Sequence, residues 1–206
     1  MKRLILVRHA EPEWPKGVNV GRQDPPLTST GLQQALELAQ AMAEQPVSHV
    51  LSSSRARALQ TGKPIAQLHS ATLSVPREDF FNDFAMGDWE GKSQGELDAD
   101  PLFQAFLKDP VSVTPPGPAN TAESVLQMRE RVEAGLHAAF EAEKGTRCGV
   151  VVTHADIIRI ALTYLLRMDA GSFLRFSIPR ASITVIDNPL ERPTLSRLGW
   201  TPGDEL

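Results

Sequence analysis

The sequence predicts an α/β protein in three layers, with a mostly parallel central sheet and helices on both faces. Short apolar runs at residues 4–7 and 150–152 are typical of strands that are buried on both faces. Segments with apolar residues at helical spacing follow the predicted strands along the chain. Strands that alternate with helices usually form parallel sheets covered on both sides. The length of 206 residues predicts a single domain over residues 1–206.

Three strands and two helices are predicted in the first half of the chain. The strands are residues 4–7, 49–52 and 72–75. A loop rich in proline and glycine follows the first strand, and the helix after it has Thr28 or Thr30 available as its cap. Residues 55–68 predict a second helix, which the Gly-Lys-Pro segment at residues 62–64 weakens.

The second half of the chain contains the clearest predicted helix. Its apolar stripe covers residues 125–140, and Asn120 with Glu123 has the pattern of a capping box. Before it, residues 97–107 predict a helix and the proline-rich residues 111–120 predict a loop. After it come, in order, a strand at 150–152, a helix at 156–166 and two strands at 183–186 and 195–198.

Composition limits the classes of partner. The formal net charge is −4, which argues against nucleic acid as a partner because phosphate backbones select basic proteins. A small anionic substrate is still compatible, since a few arginines in a pocket can dominate the local field. The single cysteine, Cys148, begins an apolar run. We expect Cys148 to be buried. A single cysteine excludes an internal disulfide and a metal site built on cysteines.

Hydrophobic segments are all short. The apolar run before Arg8 is too short for a signal peptide, and no stretch approaches the roughly 18 apolar residues of a membrane helix. We therefore expect a cytoplasmic protein with no membrane partner. Its oligomeric state cannot be predicted from these features.

Two histidines occupy similar places in the predicted sheet. His9 follows the strand at 4–7 and the adjoining Arg8, and His154 follows the strand at 150–152. In open α/β sheets, ligands bind at the carboxyl ends of the strands. A helix is predicted to begin after His154, and its free N–H groups and dipole favour an anion there.

Arginines complete a candidate phosphate site. Arg8 adjoins His9, and Arg57 lies just after the second predicted strand. Two arginines, two histidines and a helix start could surround a transferring phosphoryl group, whose spread negative charge needs such stabilisation. Structural histidines are the simpler alternative.

A metal site is the other alternative. It would pair His9 with Glu11 and His154 with Asp156, which offer imidazole and carboxylate ligands. Neighbouring arginines oppose a divalent cation, so we expect neither a metal nor another cofactor.

Several motifs have the order and spacing of a known family. They are Arg8-His9-Ala10, Pro26-Leu27-Thr28, Arg57-Ala58-Leu59-Gln60-Thr61, Gly87-Asp88-Trp89-Glu90-Gly91 and Val152-Thr153-His154. Together they resemble the motifs of the histidine phosphatase superfamily, also called the phosphoglycerate mutase-like family. The resemblance covers nearly the whole chain.

The resemblance implies a role for each candidate residue. His9 would attack phosphorus and become phosphohistidine, while Arg8, Arg57 and His154 would hold the phosphate oxygens. The family's general acid is usually a glutamate four residues before the first glycine of Gly-x-Trp-Glu-Gly, and that position here is Asp83. An aspartate transfers the same proton but has a shorter reach. Glu78 and Asp79 are the weaker candidates for this role.

Three positions depart from the family pattern. Ala10 and Ala155 replace frequent glycines, and Pro15 replaces an asparagine that often contacts phosphate. An alanine has less backbone freedom than a glycine, and a proline offers no side-chain donor. The departures concern the details of phosphate binding and leave the histidines and arginines in place.

The predicted activity is that of a metal-independent phosphomonoesterase acting on a small phosphate ester. The segments His9 to Pro12, Asp109-Pro110 and Thr114 to Gly117 are similar to those of α-ribazole-5'-phosphate phosphatases of cobalamin synthesis, which is one alternative. A phosphoglycerate mutase is another. The third is a non-catalytic phosphate-binding protein that has kept the pocket.

Overall fold

Six strands form the central sheet. The computed structural model describes residues 1–76, 79–118, 120–142 and 148–203. Its strands are β1 (Arg3–Arg8), β2 (Val47–Ser52), β3 (Thr72–Ser74), β4 (Cys148–Thr153), β5 (Ile183–Asp187) and β6 (Thr194–Trp200). They lie in the order β3-β2-β4-β1-β5-β6. The four strands from β3 to β1 pair in parallel, whereas β5 and β6 pair antiparallel at one edge. The predicted mostly parallel sheet is confirmed.

Helices cover both faces of this sheet. They are α1 (Ser29–Ala41), α2 (Ala56–Leu68), α3 (Gln94–Asp98), α4 (Pro101–Lys108), α5 (Val125–Ala142) and α6 (Ala155–Leu165). One apolar core lies between the sheet and α1 and α2, and the other packs α4, α5 and α6 against the opposite face. Alternate residues of β1 point into the two cores. Ile5 and Val7 lie in the first core, and Leu4 and Leu6 lie in the second. The predicted three-layer α/β fold is therefore confirmed.

The first helix begins at one of its two predicted caps. The hydroxyl of Thr28 accepts the N–H of Gly31 at 2.9 Å, so Thr28 and not Thr30 caps α1. A Cβ atom at Gly31 would lie 2.2 Å from the carbonyl oxygen of Glu11. Glycine is therefore needed for α1 to start against the loop that follows His9. The second helix, α2, continues through Pro64, so the predicted weak point does not end it.

Two predictions in the middle of the chain are wrong. The single helix expected at residues 97–107 is divided into α3 and α4, because Asp100 caps a new helix that starts at Pro101. The cap of α5 is not Asn120. Ser124 and Gln127 form its capping box, each accepting the backbone N–H of the other at 3.2 and 2.8 Å.

Cys148 is buried in β4, as predicted, and burial raises the pKa of its thiol to about 11. A thiol with so high a pKa is a poor nucleophile at neutral pH. Across the described part of the chain, no helix combines the length and the apolar character needed to span a membrane.

Candidate active site

The carboxyl ends of three parallel strands bring the candidate residues together. His9 follows β1, His154 follows β4 and Ser53 follows β2, and these strands are neighbours in the sheet. The rings of His9 and His154 are 5.2 Å apart between centroids, and both side chains are buried. The backbone N–H of His9 donates to the carbonyl of Thr153 at 2.9 Å. The two histidines predicted from separate strands thus lie side by side.

A backbone carbonyl determines which ring nitrogen of His9 carries the hydrogen. Its Nδ1 lies 2.7 Å from the carbonyl oxygen of Ala10. A carbonyl can only accept, so Nδ1 carries the hydrogen and Nε2 presents a lone pair. Burial, followed by repulsion between His9 and His154 when both rings are protonated and by the positive charges of Arg8 and Arg57, holds the pKa of His9 well below its usual value. The imidazole is therefore uncharged at neutral pH and has a free nitrogen for nucleophilic attack.

Alanine fits at the two positions where glycine is frequent in the family. Neither Ala10 nor Ala155 has a positive φ, so the backbone there does not need the freedom of glycine. Ala10 is fully buried, and its N–H donates to the hydroxyl of Thr61 at 3.0 Å. The loop after His9 is thereby tied to helix α2.

Arg57 is fully buried in the first turn of α2 and is held on several sides. Its Nη1 donates to the carbonyl of Gln23 at 2.6 Å, and its Nη2 donates to the carbonyl of Gly21 at 2.9 Å. Nη2 also contacts Oδ2 of Asp83 at 3.0 Å. The guanidinium is therefore fixed in orientation before any substrate enters.

Arg8 points towards the loop that precedes β5. Its Nη1 donates to the carbonyl of Ile178 at 2.5 Å. Burial lowers the pKa of Arg8 to about 10, so its guanidinium remains charged at neutral pH. Within the described residues, the buried Nε atoms of Arg8 and Arg57 have no hydrogen-bond partner, which gives each arginine unused capacity as a donor.

A chain of hydrogen bonds also determines which ring nitrogen of His154 carries the hydrogen. Its Nε2 lies 2.8 Å from the hydroxyl oxygen of Ser53. That hydroxyl donates to Oδ1 of Asn82 at 2.8 Å, and the same amide oxygen accepts the backbone N–H of Ser54 at 3.0 Å. Since the hydroxyl hydrogen of Ser53 is used, Nε2 of His154 must donate to Ser53. Sequence analysis missed Ser53 and Asn82, because neither belongs to a family motif that we identified.

Asp83 faces the remaining nitrogen of His154. Its Oδ2 lies 3.3 Å from Nδ1 of His154, but the angles are not those of a hydrogen bond and Nδ1 has no partner among the described residues. Burial and the charges of Arg57 and Arg8 hold the pKa of His154 well below its usual value. A neutral His154 would present a lone pair to a carboxylate oxygen. The two side chains are therefore adjacent without a hydrogen bond between them.

The weaker candidates for the general acid lie elsewhere. Asp79 accepts a hydrogen bond from Asn82 at 2.7 Å and lies 3.5 Å from Arg22. It does not border the cavity described next. Glu78 lies outside the described residues. Asp83 is the candidate acid that the structure brings next to His154 and Arg57.

A cavity of about 450 Å³ borders Arg8, His9 and Asp83. Part of its wall is apolar and consists of Phe84, Leu97, Phe103, Phe106, Leu107, Phe173 and Leu174. Its other polar residues include Asn19, Gln94, Asp156, Arg159 and Arg180. Sequence analysis proposed no substrate-binding role for any of these five, because only the tertiary fold brings them to one cavity. Pro15, which replaces the family asparagine, does not border this cavity, whereas Asn19 does.

The carboxylates proposed as metal ligands have other partners. The carboxylate of Glu11 accepts the hydroxyl of Thr28 at 3.2 Å, and that of Asp156 accepts Nη1 of Arg159 at 2.8 Å. Over residues 1–76, 79–118, 120–142 and 148–203, no group of three or more histidine, cysteine, aspartate or glutamate side chains is placed to hold a metal ion.

Comparisons with known proteins point to one family. The family model of the histidine phosphatase superfamily (branch 1) matches residues 4–201. The probable phosphoglycerate mutase GpmB of Proteus mirabilis is 28% identical over 208 residues, which covers 99% of this chain and 94% of that protein.

Solved structures of the same fold also match the chain. The phosphoserine phosphatase of Entamoeba histolytica, solved in complex with 3-phosphoglyceric acid, is 27% identical with a TM-score of 0.83 and covers 98% of each chain. The α-ribazole phosphatase of Shigella flexneri is 24% identical with a TM-score of 0.82, covering 99% of this chain and 100% of that one.

Proposed function

The chain belongs to the histidine phosphatase superfamily, branch 1, and from this premise we propose that it is a metal-independent phosphomonoesterase acting on small phosphate esters. In this proposal His9 is the nucleophile and Asp83 the general acid. Arg8 and Arg57 hold oxygens of the transferring phosphoryl group. His154, whose Nε2–H is bonded to Ser53, contacts another of these oxygens through Nδ1 and does so with a hydrogen on that nitrogen.

The observation that carries the proposal is the hydrogen bond from Nδ1 of His9 to the carbonyl of Ala10, 2.7 Å long. It leaves Nε2 of a buried, uncharged imidazole as a nucleophile at the edge of the cavity. Arg8 and Arg57 supply positive charge beside it, and a preorganised cationic site is what a phosphoryl transition state needs.

The reaction would proceed in two steps. In the first, Nε2 of His9 bonds to phosphorus while the bond to the ester oxygen breaks, and Asp83 gives its proton to the departing alkoxide. In the second, water attacks phosphohistidine, Asp83 takes one proton from that water, and phosphate leaves.

Release of inorganic phosphate from a panel of esters tests this proposal. We expect phosphate in stoichiometric amounts with the free alcohol from every ester that is hydrolysed. A non-catalytic phosphate-binding protein would bind the same esters and release none. The panel includes α-ribazole 5'-phosphate, so that the alternative of a cobalamin-synthesis enzyme is tested in the same assay.

A mutase is the second candidate, because relatives 28% identical to this chain are named probable phosphoglycerate mutases. A mutase must keep phosphohistidine from water and pass the phosphoryl group to a second acceptor. Phosphorus NMR of a reaction with 3-phosphoglycerate separates the two candidates. A phosphatase gives inorganic phosphate and glycerate, whereas a mutase gives 2-phosphoglycerate.

Activity is expected to survive exhaustive chelation. The arginines and histidines around the proposed phosphoryl position already provide the positive charge that a metal would otherwise supply. The test compares kcat/KM before and after dialysis against a chelator, with a metal-dependent phosphatase treated in parallel. Loss of activity that a divalent cation restores would contradict this prediction.

Replacement of Asp83 by asparagine is expected to act mainly on poor leaving groups. An alkyl alkoxide is strongly basic and needs a proton to leave, whereas p-nitrophenolate hardly does. We expect D83N to slow hydrolysis of an alkyl phosphate about a hundredfold, the range of general acid catalysis, and that of p-nitrophenyl phosphate far less. This holds where phosphoryl transfer to His9 limits both rates.

Asp79→Asn is the matched control, because Asp79 is the nearby candidate that does not border the cavity. It should leave the ratio of the two rates unchanged. Equal slowing of both substrates by D83N would mean that Asp83 only positions Arg57 and the phosphate.

A further inference from the structure

The segment before β5 lies against the end of β1 and is held there by several hydrogen bonds. The N–H of Arg8 donates to the carbonyl of Ser182 at 3.0 Å, and the N–H of Ala181 donates to the carbonyl of His9 at 3.2 Å. The side chain of Arg8 adds its bond to Ile178, and the hydroxyl of Ser182 donates to the carbonyl of Pro179 at 2.6 Å. Ala181 has a φ of 50°, in the left-handed region. The backbone around residue 180 is therefore fixed next to the nucleophile.

Arg180 is the side chain that this segment contributes to the cavity. It is half-buried, and within the described residues it has no hydrogen bond and no salt bridge. Its charge acts on Arg8 and lowers the pKa of that group, after the larger effect of burial. The fold thus holds two guanidinium groups near each other and leaves the second one without an anionic partner.

The carboxylates that border the cavity are already paired. Asp156 contacts Arg159 at 2.8 Å, and Asp83 contacts Arg57 at 3.0 Å. The reacting phosphoryl group also has its partners in the proposed function, which assigns its non-bridging oxygens to Arg8, Arg57 and His154. Arg180 is therefore a surplus cation in a cavity that is large enough for more than a phosphate.

We propose that Arg180 binds a second anionic group, a carboxylate or another phosphate, carried by the alcohol part of the substrate. This deepens the proposed function, on which it rests, and makes Arg180 a specificity-determining residue. A guanidinium binds either anion through paired hydrogen bonds in one plane. The preferred substrates are then phosphate monoesters of acidic alcohols, or bisphosphates, and not simple alkyl phosphates.

The test compares substrates in matched pairs. The first pair is 3-phosphoglycerate and sn-glycerol 3-phosphate, which differ by a carboxylate. The second is fructose 1,6-bisphosphate and fructose 6-phosphate, which differ by a phosphate. We expect Arg180→Gln to lower the ratio of kcat/KM for the ester with the second anionic group over the ester without it about ten- to a hundredfold, the contribution of a hydrogen bond between charged groups. A reduced ratio in one pair only would identify the form of the second anion.

A control variant and a binding measurement separate the possible failures. Arg175→Gln removes the same charge from an exposed residue that does not border the cavity, and it should leave both ratios within twofold. Calorimetry on His9→Ala, with and without Arg180→Gln, measures the same selectivity without turnover. Equal decreases of kcat/KM for both members of each pair would mean that Arg180 contacts the reacting phosphoryl group, which would overturn the inference. Unchanged ratios would overturn it too. If the wild type released no phosphate while R180Q still changed binding selectivity, the proposed function alone would fail.

Discussion

His9→Ala is expected to abolish turnover of every substrate. The proposed reaction forms a bond between phosphorus and Nε2 of His9, and no other described nucleophile is held uncharged at the edge of the cavity as this imidazole is. The remaining arginines could still bind phosphate, so substrate affinity should persist while kcat falls below detection. Full activity in this variant would contradict the mechanism.

Chemical trapping of the phosphorylated intermediate in the wild type tests the same role of His9. Wild-type protein quenched during turnover should carry a phosphate that is labile in acid and stable in base, on the peptide that contains His9. His137→Ala is the matched control, because His137 has a side chain that is 62% exposed and does not border the cavity. It should keep both the activity and the trapped phosphate. Circular dichroism confirms that either variant is folded.

Much of the fold could be predicted because its signals are local. The apolar runs that become β1 and β4 are short and continuous, which is what burial on both faces requires. The side chains that follow such strands can be placed on one edge of a parallel sheet with no further information. For this reason His9 and His154 could be expected to meet although 145 positions separate them in the chain, as their residue numbers show.

The parts that could not be predicted depend on tertiary contacts. Ser53 and Asn82 determine which ring nitrogen of His154 carries the hydrogen, but nothing in their local sequence distinguishes them from other loop residues. Arg180 reaches the cavity because hydrogen bonds tie its segment to β1, and no spacing in the sequence reports that contact. The cap of α5 was misplaced because Glu123 has a different partner, Arg131, whose Nη2 lies 2.6 Å from its carboxylate.

Arg57→Ala is expected to lower kcat/KM by about two to four orders of magnitude, the range found when a preorganised donor to an anionic transition state is removed. Sequence analysis placed Arg57 beside the phosphate, and the structure adds a second consequence. Arg57 is fully buried and bonds two carbonyls and Asp83. Its loss removes one partner from each of these groups, and leaving buried hydrogen-bonding groups unsatisfied costs about 1–3 kcal/mol of unfolding free energy. Denaturant unfolding measures that cost alongside the kinetics.

Arg57→Lys separates the catalytic effect from the structural one. A lysine keeps the charge near Asp83 but cannot reproduce the planar fork that contacts Gln23 and Gly21 together. We therefore expect R57K to recover part of the stability lost in R57A and yet to remain at least about tenfold below wild type in kcat/KM. Lys63→Ala, which removes an exposed cation from the same helix, should change neither quantity. If R57A were as stable as wild type and within tenfold of its kcat/KM, Arg57 would have no place in the site. If R57K were fully active, charge alone would be its contribution and the fork geometry would not matter.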